Sequence, residues 1–500
     1  MEETIMKRKL VVYLLIGALL FTGCGSQGES NNTESTKSEV DNNNESTEIN
    51  TDEVFSKRDF KTEYEENCAY IKLNGSSATC ESNAVEINGS TITVKDEGTY
   101  VVSGTLDNGM IIIDSEDTDK TQIVLNGTKI HNESGAAIYI KQSDKVFLTL
   151  NEGTENILSS GTTFESMDEE EIDGVIYSKD DLTLNGKGSL SIKSPGGHGI
   201  VSKDDLIITS GKYMIEVANH GLSANDMLGI ADGDFAITSG EDSVHCDMNI
   251  YIENGAFEIN AKDDAIHADE TLLVSGGKIN ITNSYEGLEA LDIKVSGGGI
   301  RIVADDDGLN AAGGNDSSGF GGMGNDQFGG PGGRPGGGHG ARPGGQGGQG
   351  GFGGMEGSSE GSIIISGGIL SINASGDGID ANGTLEIIGG SVAVCGPTQG
   401  DTATLDYDVS GIITGGTFIG TGARNMAQTF SGSEQGVIAV SVGNQESGTL
   451  ITLTDGSGNV IISHKPEQPF AVVILSSPEI KKGETYNITV GDASGEFEAE

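Results

Sequence analysis

A short segment returns at a nearly fixed spacing through the middle of the chain. Each copy has an aliphatic residue at its second position and a small residue at its fourth. The most regular copies begin at residues 199, 221, 243, 265 and 287, at a period of 22 residues, and further copies begin at 175, 308 and 378. A fixed period near 20 residues indicates one supersecondary unit stacked many times.

Each copy is followed by a second strand-like pattern, a glycine and a third such pattern. In one repeat these are residues 206–208, Gly211 and residues 213–215. Apolar residues alternate with a period of two, which favours strands over helices. The sequence motifs of leucine-rich repeats and of calcium-binding nonapeptide repeats are absent. We therefore predict an all-β fold, a right-handed parallel β-helix with three short strands in each rung of about 22 residues.

Alternation within each copy also assigns side chains to the two faces of its strand. The second and fourth positions are predicted to point into the core and the third to point outward. Cys246 occupies a fourth position, so we predict a buried, small side chain there. The outward column includes His245, His267 and Glu289, which are our candidate substrate-binding residues.

The amino-terminal region has the pattern of an exported protein. Residues 1–24 contain a basic start, an apolar stretch and a small-residue site before Cys24, which resembles a bacterial lipobox with Cys24 as the lipidated residue. Residues 25–59 are rich in Ser, Asn, Thr and Glu and are predicted to form a disordered tether. We expect a protein outside the cytoplasm that is held to the bacterial cell membrane by its lipid anchor only.

The remaining residues divide into two parts. Residues 60–430 carry the repeats and an amino-terminal cap, and a Gly-rich loop is inserted at 313–361. Residues 431–500 alternate differently and predict a small antiparallel C-terminal β module. Cys68 and Cys80 could form a disulfide near the cap, and no CxxC pair indicates zinc.

Acidic residues strongly outnumber basic ones. The chain of 500 residues has 76 Asp and Glu against 28 Lys and Arg, a formal net charge of −48. This charge excludes a nucleic-acid-binding protein on electrostatic grounds. It favours cations as partners, or polyanions that are reached through cations. We expect a monomer.

A column of mostly acidic residues lies directly before the repeated segments. Its members are His198, His220, Asp242, Asp264, Glu286, Asp307 and Asp377. Carboxylates stacked ~4.8 Å apart repel by ~3.5 kcal/mol at an effective dielectric of 20, so a cation between them is favourable. Oxygen ligands of this kind suit Ca²⁺. The alternative is an exposed turn in which Asp is favoured by its turn propensity. Asp263 and Asp306 stand one residue before two members of this column. The predicted calcium ligands are Asp242, Asp263, Asp264, Glu286, Asp306 and Asp307.

Several runs carry a resemblance to a known family. They are residues 199–206 (GIVSKDDL), 240–244 (GEDSV), 262–268 (KDDAIHA) and 476–478 (SSP). From about residue 60 to 500 the chain resembles bacterial cell-surface carbohydrate-binding β-helix proteins of plant-fibre-degrading anaerobes, a former domain of unknown function. These are similar in fold to polysaccharide lyase family 9. The resemblance implies calcium binding and affinity for acidic pectic polymers and cellulose, without clear lyase activity.

We therefore predict calcium-dependent binding of an acidic plant cell-wall polysaccharide, such as polygalacturonate or pectin, with cellulose as a further polymer. Two alternatives stay open. One is a calcium-dependent pectate lyase that acts by β-elimination, with Lys262 or Lys278 as the weak candidates for its base. The other is a non-enzymatic surface adhesin that uses the β-helix as a rigid spacer.

Overall fold

The structure is a computed structural model that describes residues 50–64, 68–116, 118–167, 171–312, 361–397, 402–424 and 427–500. The predicted signal peptide with Cys24, most of the predicted tether and the Gly-rich insertion up to residue 360 lie outside the described residues. In the described residues the chain is all-β apart from the four-residue helix Thr51–Val54. None of the helices in these ranges is long and apolar enough to cross a membrane.

Three parallel sheets wind into a β-solenoid of about 12 turns. The repeated segments form the first sheet. Its strands are Thr91–Val94, Met110–Asp114, Ile138–Gln142, Gly174–Ser178, His198–Ser202, Leu222–Ala224, Val244–Cys246, the first halves of Ile266–Val274 and Leu288–Val295, Leu309–Ala311, Ile379–Ala381 and Asp406–Tyr407. The predicted parallel β-helix is confirmed, and its right-handedness stays a prediction.

The second sheet follows the first around each rung. Its strands are the first halves of Gly98–Leu106 and Lys120–Asn132, then Lys145–Leu150, Asp181–Gly186, Leu206–Ile208, Met227–Ile230, Asn249–Ile252, the second halves of Ile266–Val274 and Leu288–Val295, Ser362–Ile365, Thr384–Ile387, Ser410–Ile413 and Gly432–Ser433. Ser362–Ile365 pairs with the strand of the preceding rung, so the Gly-rich insertion separates two strands of one rung.

The third sheet closes each rung. Its strands are the second halves of Gly98–Leu106 and Lys120–Asn132, then Glu155–Ser160, Ser189–Ser194, Lys212–Val217, Asp234–Thr238, Ala256–Asn260, Lys278–Asn283, Gly299–Ala304, Ile369–Ala374, Ser391–Cys395 and Thr417–Gly422. Tyr213, Phe235 and Phe257 stack inside this sheet with ring centroids 5.0 and 4.6 Å apart.

The inward columns form one continuous core, as the alternation predicts. Leu222, Val244 and Ile266 are fully buried, and so is Cys246 in the column of small residues. Each such aliphatic side chain contributes roughly 1.5–3 kcal/mol through burial. The narrow core thus extends along the solenoid instead of forming a globular centre.

Pairs of glycines form the corner between the second and third sheets in five successive rungs. They are Gly276-Gly277, Gly297-Gly298, Gly367-Gly368, Gly389-Gly390 and Gly415-Gly416. The second glycine of each pair has a positive φ, +86° at Gly298, and a Cβ at either position would lie against a backbone carbonyl of the preceding rung. The corner can therefore turn this tightly only without side chains.

Additional strands cover the two ends of the solenoid. At the amino end these are Ala69–Gly75, Ala78–Thr79 and Val85–Asn88. At the carboxyl end, Val437–Gln445 and Phe470–Ser476 extend the third sheet in antiparallel fashion, and Val460–His464, Ile451–Thr454, Thr485–Val490 and Ala493–Glu498 form a separate antiparallel sheet. Cys68 and Cys80 are free thiols in this structure.

Residues 50–61, here called the strap, lie on the outer face of the second sheet. Val54 and Phe55 pack against Gly229, where a Cβ would come within 2.7 Å of Val54. The Phe55 ring lies 5.8 Å from that of Tyr251. The order of the strap differs from the disordered tether predicted up to residue 59, because its apolar side chains find a matching socket on the sheet.

Asp59 fixes the other end of the strap and is 1% exposed. Its Oδ1 accepts a hydrogen bond from Thr183 Oγ1 at 2.7 Å and lies 3.1 Å from Lys145 Nζ. Its carbonyl oxygen accepts hydrogen bonds from Asn185 Nδ2 at 2.8 Å and Thr209 Oγ1 at 3.0 Å. The strap therefore contacts strands from the rung of Lys145 to the rung of Tyr251.

Candidate functional site

The predicted column before the repeated segments is a hydrogen-bond ladder. His198 Nδ1 accepts the backbone N–H of His220 at 3.1 Å, and His220 Nδ1 accepts that of Asp242 at 3.2 Å. Asp242 Oδ1 accepts the N–H of Asp264, and Asp264 Oδ1 that of Glu286, both at 3.0 Å. A buried N–H without an acceptor costs about 1–3 kcal/mol, so each rung needs an acceptor side chain at this position. The sequence predicts that these side chains align from rung to rung. It does not predict that they accept the backbone N–H groups of the following rung.

Four imidazole rings follow one another along the first sheet. The first two pairs of neighbouring rings are stacked, and the third pair is tilted by 38°. The centroids are 5.0 Å apart for His198 and His220, 4.4 Å for His220 and His245, and 5.2 Å for His245 and His267. The first two rings belong to the ladder, whereas His245 and His267 belong to the outward column. The stack thus joins the two columns that the sequence treats as separate.

His245 is held between two carboxylates. Its Nδ1 lies 2.9 Å from Asp242 Oδ2 and its Nε2 lies 3.2 Å from Asp247 Oδ1. Burial lowers the pKa of His245, but the hydrogen bonds to Asp242 and Asp247 outweigh burial and raise it to about 9. Both nitrogens therefore donate, and His245 is an imidazolium that neutralises Asp242.

His267 has the same arrangement one rung later. Its Nδ1 lies 2.7 Å from Glu289 Oε2 and 3.3 Å from Asp264 Oδ2, and its Nε2 lies 3.2 Å from Asp269 Oδ1. Burial lowers the pKa of His267, yet these three carboxylates together raise it. Burial and the charges of Asp242 and Glu289 raise the pKa of Asp264. The predicted substrate residues His267 and Glu289 thus bind each other, and Glu289 is only 3% exposed.

The carboxyl-terminal part of the ladder consists of carboxylates. Burial, followed by the charges of Asp377 and Asp306, raises the pKa of Asp307 to about 8. Burial, followed by Asp377 and Asp406, raises the pKa of Asp380 to about 7. The charged groups that act most on Asp307 and Asp380 are therefore all acidic. Asp377 and Asp380 were not among the predicted ligands, although the repeat that resumes at residue 378 places them in these columns.

The three parts of the ladder differ in how well they fit Ca²⁺. Imidazole nitrogens at the amino end are poor calcium ligands, and the imidazolium groups already neutralise much of the middle. Asp264, Glu286 and Glu289 bring carboxylate oxygens within 4.8 Å of one another, but His267 adds a positive charge there. At the carboxyl end, Asp306 and Asp380 both act through their charges on Asp307, so these three residues offer carboxylate oxygens without a histidine among them. Of the predicted ligands, Asp242 is therefore the least suited.

The remaining predicted residues lie around this site. Asp263 precedes Asp264 in the corner, and burial, Asp242 and Asp263 raise the pKa of Glu241 to about 7. Lys262 is exposed in the same corner. Lys278 is exposed at the start of a third-sheet strand, which is a different face of the solenoid.

Part of the chain matches the model of a known protein family. Residues 88–322 match the model of the family described as "Carbohydrate-binding domain-containing protein". The resemblance to a carbohydrate-binding family is confirmed. The matched part includes every ladder residue from His198 to Asp307, whereas Asp377 and Asp380 lie beyond it.

A relative with the same description, from Acetivibrio thermocellus, is 27% identical over 213 residues, which are 42% of this chain and 65% of the relative. The match thus spans less than two thirds of that relative. A solved structure, the polysaccharide lyase-like protein from C. thermocellum in its gadolinium derivative, is 27% identical, has a TM-score of 0.40, and covers 49% of this chain and 96% of its own.

Proposed function

We propose that this protein binds an acidic polysaccharide of the polygalacturonate or pectin class and that calcium joins the two. The observation that carries the proposal is the group of partly buried carboxylates around Asp307, whose neighbouring charges are acidic. Asp306, Asp307 and Asp380 would hold the ion, and Asp264, Glu286 and Glu289 form a second candidate group. Bound calcium would supply positive charge and open coordination positions for carboxylates of the polymer.

Charge and shape support a linear acidic polymer. A chain of net charge −48 repels a polyanion unless cations lie between them. The outward column of the first sheet repeats once per rung, with Ser223, His245, His267 and Glu289 in register. The residue type changes from rung to rung, but one side chain per rung at a fixed spacing suits an extended chain with a regular repeat. Attachment to the cell membrane through Cys24 is part of the same proposal.

The placement of Lys278 counts against it as the base of the lyase alternative. Lys278 begins a strand of the third sheet, whereas the carboxylate ladder borders the first. Lys262 is exposed and next to the ladder, so it is the candidate to substitute in a lyase assay.

The test combines retention and turnover. The purified protein is incubated with immobilised polygalacturonate in calcium or in chelator, and the absorbance of the unsaturated β-elimination product is followed. We expect retention in calcium, loss in chelator and no absorbance change. Asp307→Asn with Asp380→Asn should abolish retention, whereas Asp234→Asn with Glu258→Gln, two exposed acids of the third sheet, should not.

Each other outcome rejects the proposal. Absorbance that rises in calcium and stops with Lys262→Ala would identify a lyase. Absence of retention on both pectic and cellulosic polymers would favour the adhesin. Equal retention of both double variants would remove the calcium ligands proposed above.

A further inference from the structure

The two ladder histidines have a defined tautomer. His198 Nδ1 and His220 Nδ1 each accept a backbone N–H of the following rung. An accepting nitrogen carries no proton, so the proton of each neutral ring is on Nε2. Burial lowers the pKa of His220 to about 3, which agrees with a neutral ring. Each ring therefore presents an Nε2–H donor on the side away from the ladder.

This tautomer is incompatible with a metal site at the same atoms. His198, His220 and Glu241 bring potential ligand atoms within 4.8 Å of one another. A neutral histidine that binds a metal through Nε2 must carry its proton on Nδ1, where it donates to a partner. Here Nδ1 accepts instead, so a metal ion would break two ladder hydrogen bonds.

Each Nε2–H donor has a carboxylate beside it. His198 Nε2 lies 3.6 Å from Asp173 Oδ2, and His220 Nε2 lies 3.5 Å from Glu241 Oε2. The side chains of His198 and His220 are 14% and 20% exposed, and those of Asp173 and Glu241 are 44% and 42% exposed. Asn219 Nδ2 donates to the other oxygen of Glu241 at 3.3 Å. Each of two neighbouring rungs thus presents an imidazole donor beside a carboxylate acceptor, with Asp173 from the rung before His198 and Glu241 from the rung after His220.

We propose that the pairs His198–Asp173 and His220–Glu241 bind hydroxyl groups of successive sugar units, without calcium. A hydroxyl both donates and accepts, so it can bind the imidazole N–H and the carboxylate together. A ligand carboxylate would be repelled by Asp173 and Glu241. The two stacked rings follow each other along the solenoid, so both pairs lie along the path of a chain that runs parallel to its axis.

This inference deepens the proposed function, on which it rests for the class of polymer. Neutral units of a pectic or cellulosic polymer are bound at the amino end of the ladder, and acidic units at the calcium end near Asp307. Binding of uncharged sugar should then survive removal of calcium. The two sites can be lost separately.

Two substitutions of one residue separate the functions of its two nitrogens. Asn at position 220 places an amide oxygen near the Nδ1 position, so His220→Asn keeps the ladder bond to Asp242 and removes the outer donor. Gln places an amide nitrogen near the Nε2 position, so His220→Gln keeps the donor and loses the ladder acceptor. Only the first should weaken sugar binding, and only the second should remove a backbone hydrogen bond.

The assay is calorimetric titration of the full protein with a short soluble β-linked glucan in chelator. We expect wild type and His220→Gln to bind and His220→Asn to bind roughly tenfold more weakly, the loss of one hydrogen bond to a partly exposed site. Thermal unfolding should show a lower midpoint for His220→Gln than for His220→Asn.

Three results would overturn the inference. The first is that wild type does not bind the glucan in chelator, and the second is that wild type and His220→Asn bind it with equal affinity. The third is that Zn²⁺ raises the unfolding midpoint of wild type but not of His220→Asn, which would identify a metal site. Calcium-dependent retention on polygalacturonate is measured in parallel. Its persistence would show that the proposed function stands although the hydroxyl site does not.

Discussion

The buried pair of Asp242 and His245 should make the stability of the calcium-free protein depend on alkaline pH. Their contact is 2.9 Å, and Asp242 is 5% exposed. The folded pKa of His245, about 9, lies above its ordinary value of 6.5. The stabilisation is therefore fully present below about pH 6.5 and is lost as pH rises through 9. Asp242→Asn keeps an oxygen for the N–H of Asp264 but removes the negative charge.

The size of the effect follows from the pKa difference. A shift from 6.5 to about 9 corresponds to about 3 kcal/mol, at roughly 1.4 kcal/mol per pKa unit. Loss of one partner from a buried ion pair typically costs about 3–5 kcal/mol, so the two figures agree. Because Asp247 supplies part of the pKa shift, we expect Asp242→Asn to be less stable than wild type by up to about 3 kcal/mol at pH 6.5 and nearly equal to it above pH 9.

Urea unfolding followed by far-ultraviolet circular dichroism measures this difference, with chelator present throughout. Glu258→Gln is the control, since Glu258 is an exposed acid that accepts hydrogen bonds from Asn280 on the third sheet. It should unfold in parallel with wild type at every pH. A constant gap between Asp242→Asn and wild type from pH 6.5 to 9.5 would refute the assignment of His245 as an imidazolium.

Three further outcomes follow from other parts of the molecule. In urea unfolding, Gly298→Ala should lower the unfolding free energy by about 1–3 kcal/mol, because the new Cβ meets the backbone of the preceding rung. The control Gly299→Ala has open space around its Cβ and should change the unfolding free energy by less than about 1 kcal/mol. Asp59→Ala should lower the unfolding free energy by about 3 kcal/mol in the same assay, because it removes the carboxylate nearest to Lys145 and the acceptor of the Thr183 hydroxyl, and a change under about 0.5 kcal/mol would contradict the packing of the strap. Calcium affinity measured by calorimetry should rise from pH 6 to 8, because at the lower pH calcium must displace the proton that Asp307 holds in the free protein. An affinity that does not change with pH would exclude Asp307 as a ligand.

The sequence predicts the solenoid because its information is periodic. Position-by-position alternation identifies the inward column through Leu222, Val244 and Ile266, and each new rung repeats the same constraint. The order of the strap could not be predicted in this way. Its socket depends on Gly229, whose significance appears only when Val54 lies above it.

The chemistry of the ladder was only partly predictable, for a physical reason. Spacing shows that Asp242 and Asp264 share a column, but not whether a side chain points to solvent, to a neighbour or along the axis. The structure directs one oxygen of each to the next backbone N–H and the other to a histidine. Whether the carboxylates need a bound metal ion depends on those partners. His245 and His267 provide positive charge from within the chain.

The strap changes how the solenoid can come apart. In most repeat proteins each unit contacts only its neighbours, so end units fray one at a time. Here a single segment contacts strands from the rung of Lys145 to that of Tyr251. Unfolding of any rung in that interval removes part of the surface against which the strap packs. These rungs therefore share one opening transition. The rungs from Lys145 to Tyr251 should exchange their amide protons as one cooperative block, while rungs beyond Tyr251 open step by step from the other end.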